Sequence, residues 1–516
     1  MIKRAIISLS DKTGVVEFGR YLEGKGVEIF STGGTAKLLK DNHVSCREVS
    51  EITGFPECLD GRVKTLHPKI FGGILAMRSE PEHMNQIREL EVDTIDLVLV
   101  NLYPFKATVQ KPGVSFEDCV ENIDIGGPSM LRAAAKNHQD VTVITDPSDY
   151  DLVIKEMDEN GDTTLQTRVY LAGKVFEHTA AYDALISNYF LGITKPSSPP
   201  SHVTMTFDKV SELRYGENGH QKATFYKDAI SLSGTLSEAV QKNGKELSYN
   251  NIADTDGAIS CLKEFPDEPT MVAVKHANPC GVACGATILE AWRRAYEADP
   301  VSIFGGIVAA NREIDAATAE EMSKVFLEVV IAPSFTKEAL AVFEKKKNIR
   351  ILELSDVGIP FAPDMQVAKF VSGGVLIQDS DSLLFDPSDV KVVTKTPLDP
   401  SYEEDIAFGM KAVKFVKSNG IAVVKNKQTL GIGPGQVNRV GAAQIALTMA
   451  GEKCKGAVMA SDAFFPFRDC VDEAYKAGIR VIVQPGGSLK DQESIDACDE
   501  YGMTMVFTGT RHFRHG

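Results

Sequence analysis

An apolar run that ends in a lysine and a histidine is the feature of this chain that points most directly to chemistry. Residues 271–274 are all apolar, and Lys275 and His276 follow them at once. Burying an unpaired ammonium or imidazole is costly or lowers its pKa. We therefore expect both residues at a strand end in a cleft, where a lowered pKa suits amine-activating chemistry. The alternative is a solvent-facing lysine beside a hydrogen-bonded histidine.

The geometry of a strand sets a condition on this pair. Successive side chains of a strand point to opposite faces, so Lys275 and His276 can serve one site only if the backbone leaves strand geometry there. Asn278 and Pro279 follow, and Pro279 restricts the conformation of Asn278. We expect the apolar run to stop at these two residues.

Two turns rich in Gly, Ser and Thr, residues 8–14 and 31–35, each lie between a predicted strand and a predicted helix. A helix N-terminus presents unpaired N–H groups and partial positive charge, and glycine allows close approach of an oxyanion. Both turns are expected at the carboxyl ends of neighbouring parallel strands, where such sheets bind ligands. The pattern favours phosphate binding over ordinary capping by Ser and Thr.

Further polar groups in the first half fall at predicted strand ends and helix edges. Taken together they resemble an acid/base set, and the alternative for each one is a position in a solvated loop. They are Arg62, Lys64, Thr65, Asn101, Tyr103, Asp124 and Lys136.

In the second half, polar clusters again follow apolar runs. They include Arg214, Tyr215, Asn251, Asp254, Phe304, Gly305, Asn419, Arg439, Phe464, Phe467, Asp469, Arg511 and His515. Phe464 and Phe467 are interrupted by Pro466, which favours a pocket wall for a flat heterocycle over a core position. The glycines from Gly431 are predicted to form a G-x-G-x-G loop after a hairpin turn at 426–428, which argues against a nicotinamide site.

Strands over 5–9, 27–30, 95–102 and 141–145 alternate with helical spacing, and a long helix spans about 165–190. This is typical of a doubly wound α/β domain. Periodicity breaks at 194–202, where we place a domain boundary. The remaining residues exceed one core and predict two subdomains. Similar strand-to-loop junctions at 272–279 and 457–466 indicate an internal duplication.

Composition narrows the function. The 516 residues carry a net charge of −16, which argues against a nucleic-acid partner. No apolar run is long enough to span a bilayer, and the opening segment is too short for a signal peptide. Nine scattered cysteines fit reduced thiols. These features predict a cytoplasmic enzyme without a membrane role.

Several motifs together resemble the bifunctional AICAR transformylase/IMP cyclohydrolase family of purine biosynthesis. The resemblance runs from Ile6 to His515, and it is carried by residues 31–35, 61–68, 101–105, 123–127, 131–137, 213–216, 275–276 and 461–469 and by the His515 tail. It implies an α/β fold with a doubly wound methylglyoxal-synthase-like domain at 1–194, then two cytidine-deaminase-like α/β subdomains at 203–516. It also implies a homodimer that works without a catalytic metal.

The resemblance implies two reactions. First, the amine of the aminoimidazole carboxamide ribonucleotide (AICAR) attacks the formyl carbon of the cosubstrate 10-formyltetrahydrofolate. His276 would assist deprotonation of this amine, and Lys275 would stabilise the developing oxyanion or protonate the leaving folate nitrogen. Asn419 and Asp469 would hold the formyl and pteridine groups, with His515 near the reacting centre. The other substrate-binding residues would be Arg214, Tyr215, Asn251, Phe304, Gly305, Arg439, Phe464, Phe467 and Arg511.

In the second reaction the carboxamide nitrogen closes onto the formyl carbon, and loss of water gives IMP. Lys64, Tyr103, Asp124 and Lys136 would position and polarise the reacting groups. The substrate-binding set would be Ser10, Lys12, Ser31, Gly34, Thr35, Arg62, Thr65 and Asn101.

Two other functions compete with this interpretation. A zinc nucleobase deaminase needs His-x-Glu and Pro-Cys-x-x-Cys, whereas Ala277 and Asn278 follow His276, and Cys280 and Cys284 are one residue too far apart. A phosphate-sensing module without catalysis leaves Lys64, Tyr103, Asp124 and Lys136 without a role.

Overall fold

The computed structural model describes residues 1–230 and 232–515. It divides into two compact units. The first unit comprises residues 1–208 and 228–230, and the second comprises the rest of the described chain.

The first unit alternates strands and helices. Its strands are β1 (Arg4–Ser8), β2 (Glu28–Ser31), β3 (Arg47–Glu48), β4 (Leu97–Val100) and β5 (Thr142–Ile144). Its helices are α1 (Val15–Gly24), α2 (Gly33–Asp41), α3 (Val49–Thr53), α4 (Pro68–Leu75), α5 (Pro81–Glu89), α6 (Phe105–Val109), α7 (Phe116–Glu121), α8 (Gly126–Lys136), α9 (Tyr150–Asn160) and α10 (Leu165–Thr194).

The sheet of the first unit is parallel throughout, in the order β3-β2-β1-β4-β5. Its central strands are apolar and buried, as expected for strands covered by helices on both faces. The strand order reverses beside β1, so β2 and β4 flank it. The predicted doubly wound fold is confirmed, and this point of reversal is where such sheets bind ligands.

The long helix α10 begins where Thr164 caps it by accepting a hydrogen bond from the N–H of Thr167. Its buried face, which includes Leu171, Val175 and Tyr182, packs into the core of the first unit. Neither α10 nor any other helix in the described part of the chain combines the length and apolarity that a membrane crossing needs.

The remaining strands are β6 (Phe207–Leu213), β7 (Ala223–Asp228), β8 (Val240–Asn243), β9 (Thr270–Lys275), β10 (Asn278–Cys284), β11 (Gly306–Ala310), β12 (Leu327–Ala332), β13 (Arg350–Glu353), β14 (Gln366–Val371), β15 (Gly374–Asp379), β16 (Lys391–Val392), β17 (Ile421–Val424), β18 (Thr429–Gly433), β19 (Val458–Ser461), β20 (Val481–Gln484) and β21 (Thr504–Phe507). The remaining helices are α11 (Tyr249–Leu262), α12 (Ile288–Ala298), α13 (Ala316–Met322), α14 (Lys337–Glu344), α15 (Glu403–Val413), α16 (Arg439–Ala450), α17 (Asp469–Ala477) and α18 (Asp491–Tyr501).

The second unit contains the same topology twice. Its two six-stranded sheets have the orders β10-β9-β11-β12-β13-β8 and β18-β17-β19-β20-β21-β16. In each sheet a hairpin is followed by an antiparallel strand, two parallel strands and an antiparallel edge strand. The predicted duplication is present, but the pairing of junctions 272–279 and 457–466 is wrong. The junction at 272–279 follows β9, whose equivalent in the other sheet is β17. The junction at 457–466 follows β19, whose equivalent is β11.

The two equivalent hairpins have matching turns. His276 and Ala277 connect β9 to β10 with φ of 53° and 57°, and Asn426 and Lys427 connect β17 to β18 with φ of 53° and 55°. The expected end of the apolar run is confirmed, because β9 ends at Lys275, but Asn278 and Pro279 begin a new strand, β10, which the sequence did not indicate. Proline is tolerated because β10 is an edge strand with an irregular register at this point.

Glycines in the hairpin strands allow helices to pack closely against them. The predicted loop at Gly431 is wrong, because Gly431 and Gly433 lie within β18. A Cβ on Gly433 would lie 2.0 Å from the carbonyl oxygen of Ala442 in α16. In the other sheet, a Cβ on Gly281 in β10 would likewise lie 2.2 Å from the carbonyl oxygen of Ala295 in α12.

A buried ion pair connects the two halves of the second unit. Lys414 Nζ lies 2.9 Å from Glu264 Oε1, and the lysine side chain is 3% exposed. Glu264 and Lys414 each lie twelve residues before the first residue of their turn, His276 and Asn426 respectively. They therefore occupy equivalent positions in the two halves.

Gly433→Ala should destabilise the second unit by about 3 kcal/mol, because the new Cβ meets helix backbone that cannot rotate away. Calorimetric melting of the full chain measures this loss. Gly219→Ala is the control, since a Cβ there meets nothing within 4 Å, and its effect should stay within about 0.5 kcal/mol. Equal melting of the two variants would contradict the close packing described here.

Candidate active sites

A cavity of about 610 Å³ opens at the carboxyl ends of β1, β2 and β4. This volume is in the range of small-molecule sites. It brings together ten predicted residues from separate loops, namely Ser10, Lys12, Gly34, Thr35, Arg62, Lys64, Thr65, Asn101, Tyr103 and Asp124.

The N-terminus of α2 is the part of this cavity best suited to an anion. The side chain of its N-cap, Thr32, makes no capping bond and instead pairs with the hydroxyl of Ser8 at 2.9 Å. A Cβ on Gly34 would lie 3.9 Å from Lys12 Nζ, and one on Gly33 would lie 3.7 Å from Lys64 Nζ. Two ammonium groups therefore border a helix N-terminus without a side-chain cap, which favours phosphate binding over simple capping.

The loop after β1 is held by side chains that the sequence marked as binding residues. The Asn101 carbonyl oxygen accepts from the N–H groups of Ser10 at 2.6 Å and Asp11 at 3.1 Å, and its amide donates to the Asp11 oxygen at 2.7 Å. The Thr35 hydroxyl bonds the backbone N–H and oxygen of Leu9, each at 3.0 Å. Asn101 and Thr35 therefore shape the cavity wall.

Lys64 is held in the cavity by a carboxylate. Its ammonium lies 3.1 Å from Glu57 Oε1, and the turn between them contains Leu59 and Asp60 with φ of 54° and 53°. Left-handed backbone at residues with side chains is uncommon and concentrates at functional sites. Arg62, two residues earlier than Lys64, forms an ion pair with Glu121 at the rim.

Asp124 is the most constrained acid of the cavity. Its carboxylate accepts from the N–H groups of Gly127 at 2.8 Å and Tyr103 at 3.3 Å. Burial raises the pKa of Asp124, and these two hydrogen bonds oppose the shift. A Cβ on Gly127 would lie 2.6 Å from Asp124 Oδ2, so only glycine permits this approach. The backbone N–H of Asp124 donates to the hydroxyl of Tyr182 on α10 at 2.9 Å.

Two predicted residues of the first unit lie outside this cavity. Ser31 is fully buried, and its hydroxyl donates to the Ile7 oxygen at 2.7 Å. Lys136 is exposed near the end of α8, in a separate hollow with Leu75, Arg132 and Phe176. The structure therefore gives Ser31 a role in the sheet and does not bring Lys136 to the other three acid/base candidates.

Lys275 and His276 lie at the end of β9, as the sequence predicted. The Lys275 ammonium donates to the backbone oxygens of Gly305 at 2.8 Å and Phe304 at 3.3 Å. The ring of Phe304 is 62% exposed, and its centroid lies 5.4 Å from that of Phe326. His276 is exposed at the left-handed turn, so the backbone does leave strand geometry where the pair requires it.

Asn278 connects this hairpin to the loop that carries Asn419. Its amide oxygen accepts from the N–H of Lys417 at 3.0 Å, and its NH₂ group donates to the His276 oxygen at 3.1 Å. The side chain of Asn419 donates to the Gln436 oxygen at 2.8 Å and accepts from Arg439 at 2.7 Å.

Arg439 was predicted to bind substrate, but it is buried at 5% exposure. Its guanidinium forms an ion pair with Asp462 and donates to the Ser461 hydroxyl at 3.0 Å. Both terminal nitrogens of Arg439, Nη1 and Nη2, are thus bonded to protein acceptors, one of which is the side chain of Asn419. This prediction is therefore corrected from substrate binding to support of Asn419.

The aromatic run at 464–467 divides between core and surface. Phe465 is fully buried, Phe464 is partly buried, and Phe467 is 51% exposed with Lys490 Nζ 4.7 Å above its ring. Asp469 is the first residue of α17 and is partly buried. Phe464, Phe467 and Asp469 thus remain accessible, as a pocket wall requires.

The other predicted binding residues of the second unit lie in varied environments. Arg214 is exposed, 5.7 Å from the ring of Tyr215. Asn251 is buried and completes a capping box with Ser248 at the start of α11. Arg511 lies 4.8 Å from the ring of Phe513, and His515 lies 5.3 Å from the same ring.

Sequence reasoning missed four residues that hold these sites. Glu57 pairs with Lys64, and the hydroxyl of Tyr182 accepts from the Asp124 backbone. Thr32 is the N-cap of α2, and Asn278 connects the hairpin to the Lys417 loop. Thr32 and Asn278 carried a sequence signal, since Thr32 lies within a glycine-rich turn and Asn278 precedes Pro279 shortly after the Lys275–His276 pair. Tyr182 lies 58 residues from Asp124, a separation at which spacing gives no information.

Strand geometry argues against the zinc deaminase alternative. Cys280 and Cys284 both lie in β10, where four residues span about 13 Å, too far to share one ion at about 2.3 Å. Burial also raises the pKa of both thiols, Cys280 to about 12, which disfavours the thiolate that binds metal. No cluster of three or more metal-ligating side chains occurs within residues 1–230 and 232–515.

Comparison with known proteins identifies the family. The family described as AICARFT/IMPCHase bienzyme matches residues 134–449, and the MGS-like domain matches residues 14–129. Proteins named bifunctional purine biosynthesis protein PurH are similar over the full length of both chains. Those of Ruminiclostridium cellulolyticum and Acetivibrio thermocellus are 58% identical over 515 residues, and that of Bacillus mycoides is 56% identical over 517 residues.

The chain therefore belongs to the AICARFT/IMPCHase bienzyme family. It is a bifunctional enzyme with AICAR transformylase and IMP cyclohydrolase activities, the last two steps of IMP biosynthesis.

Lys12→Ala should weaken binding of IMP by about 10- to 150-fold, because a charge-assisted hydrogen bond contributes about 1.5–3 kcal/mol. Titration calorimetry measures the affinity, and added salt should narrow the difference. The control is Lys40→Ala at the other end of α2, where the lysine pairs with Glu48 at 2.7 Å. Equal weakening by both variants would rule out a phosphate site at the N-terminus of α2.

Proposed function

We propose that the cavity of the first unit closes the ring of the formylated nucleotide. The observation that carries this assignment is the placement of Lys64, Tyr103 and Asp124 in one cavity with the N-terminus of α2. The nucleotide phosphate binds at that N-terminus beside Lys12, and the Lys64 ammonium at its edge helps to polarise the reacting groups. Asp124 and Tyr103 then face the carboxamide and formyl groups, where they orient the attacking nitrogen and polarise the formyl oxygen.

We propose that formyl transfer takes place at the β9–β10 turn. His276 accepts the proton of the attacking amine, and Lys275 stabilises the oxyanion or protonates the departing folate nitrogen. Support comes from the Lys275 ammonium, which lies at the backbone of Phe304 and Gly305, and from Asn278, which connects the turn to the Asn419 loop.

The cosubstrate of this step is 10-formyltetrahydrofolate, and the accessible rings of Phe304, Phe464 and Phe467 suit its flat pterin. Arg214, Tyr215, Arg511 and His515 complete the nucleotide site in this proposal. We propose that the enzyme is a cytoplasmic homodimer, and that neither step uses a catalytic metal.

Two substitutions should separate the activities. His276→Ala should abolish folate-dependent formylation and leave ring closure intact, whereas Lys64→Ala should block ring closure and leave formylation intact. General acid–base groups contribute roughly 10²- to 10⁴-fold to rate, so losses of that size are expected. Each half-reaction is assayed alone, with AICAR and formyl folate or with the formylated nucleotide. If either folded variant loses both activities, the division of labour is wrong.

Ring closure should depend on pH through Asp124. Burial raises the pKa of this carboxyl, so its charge is lost as the pH falls through a value above that of an ordinary aspartate, about 3.9. The rate of ring closure at limiting substrate should therefore fall as the pH is lowered, which gives the pH profile an acid limb. Asp124→Asn should be slow at every pH and should lack this acid limb. An unchanged acid limb in Asp124→Asn would assign the titration to another group.

A further inference from the structure

The two equivalent turns of the second unit are anchored in the same way. In the first half, Asp254 of α11 accepts a hydrogen bond from the N–H of Ala277 at 2.8 Å. In the second half, Asp405 of α15 accepts from the N–H groups of Asn426 at 2.8 Å and Lys427 at 2.7 Å. Each carboxylate comes from the helix that directly precedes its hairpin. A carboxylate anchor is thus a repeated feature of the duplicated fold.

The first turn has more need of its anchor than the second. His276 and Ala277 both have left-handed φ, a conformation that favours glycine, asparagine and aspartate over other residues. The second turn contains Asn426, a residue type that tolerates this conformation. The buried Asp405 accepts two hydrogen bonds from the backbone of that turn. The first turn has neither advantage, and within the described part of the chain Asp254 is the one carboxylate that accepts a backbone bond from it.

Packing beneath the turn fixes the same geometry. A Cβ on Gly257 would lie 3.8 Å from the Cα of Ala277, so α11 passes directly under the turn. Asp254 and Gly257 are three residues apart and share one helix face. On the other side of the turn, Asn278 donates to the His276 oxygen at 3.1 Å. The direction in which the His276 side chain leaves the backbone is therefore set by α11 and by Asn278.

We propose that Asp254 is a positioning residue for formyl transfer. By accepting the Ala277 N–H, its carboxylate holds the left-handed turn and so orients the imidazole of His276 toward the attacking amine. Asp254 acts through the turn and does not touch the substrate. This inference rests on the proposed function of His276.

The full-length enzyme provides the test, with formyl transfer and ring closure measured separately. Asp254→Ala should lower kcat of formyl transfer by about 10- to 100-fold, because small misplacement of a catalytic group is costly, while KM for AICAR changes less than about 3-fold. Asp254→Asn should stay within about 3-fold of the parent, since its amide oxygen can still accept from Ala277. Ring closure should be unchanged in both variants, and the near-normal KM for AICAR shows that the second unit is folded.

Two further variants distinguish orientation from charge and from stability. Ala277→Gly added to Asp254→Ala should recover part of the lost kcat, because glycine adopts positive φ without steric cost. Asp405→Ala is the matched control: it removes the equivalent anchor from the half without the histidine. It should lower the melting temperature and leave kcat of formyl transfer within about 3-fold, as expected for a site without the reacting group.

Each remaining outcome overturns a stated claim. If Asp254→Ala keeps full formyl transfer while His276→Ala loses it, the positioning role is wrong and the proposed function stands. If folded Asp254→Asn loses as much as Asp254→Ala, the charge of Asp254 is what matters and the anchor is refuted. If His276→Ala itself retains formyl transfer, the proposed function fails and takes this inference with it.

Discussion

The alternation of side chains along a strand is the constraint on which both sites depend. Because helices cover the faces of these sheets, a polar side chain within a strand would enter the core. Chemistry is therefore confined to the positions where strands end. The first cavity opens at the ends of β1, β2 and β4. Lys275 and His276 lie together at the end of β9 because His276 and Ala277 adopt left-handed backbone. The unusual φ of His276 is the condition for two consecutive residues to serve one site.

This constraint explains why much of the architecture could be predicted from the sequence. Short apolar runs identified β1, β2, β4 and β5, because strands covered on both faces consist mainly of apolar residues. The convergence of the loops followed from the parallel order of the sheet, since carboxyl ends of parallel strands meet at one edge. The two turns rich in Gly, Ser and Thr were expected at one edge for this reason, whereas the full set of ten residues in the cavity was implied by the family resemblance.

The remaining differences have a common cause: residue type reveals a hydrogen-bonding capacity but not the partner that uses it. The hydroxyl of Ser31 bonds a neighbouring strand, the amide of Asn251 caps a helix, and the guanidinium of Arg439 pairs with Asp462. Each was predicted to bind a substrate, and in each the structure shows a polar atom bonded within the protein: the donors of Ser31 and Arg439, and the acceptor oxygen of Asn251. The duplication was likewise visible in outline, yet its halves were aligned wrongly, because two polar strand ends look alike whether or not they share a place in the topology.

The pair Glu264–Lys414 shows what joining the halves in one chain made possible. Two identical copies packed about a two-fold axis would place the same residue on both sides of such a contact, so acid would face acid or base would face base. A single polypeptide with two diverged halves can place opposite signs there. Burial makes the distinction strong, since an unpaired charge in the interior is far costlier than one in water. The opposite charges therefore favour association of unlike halves and penalise association of like ones.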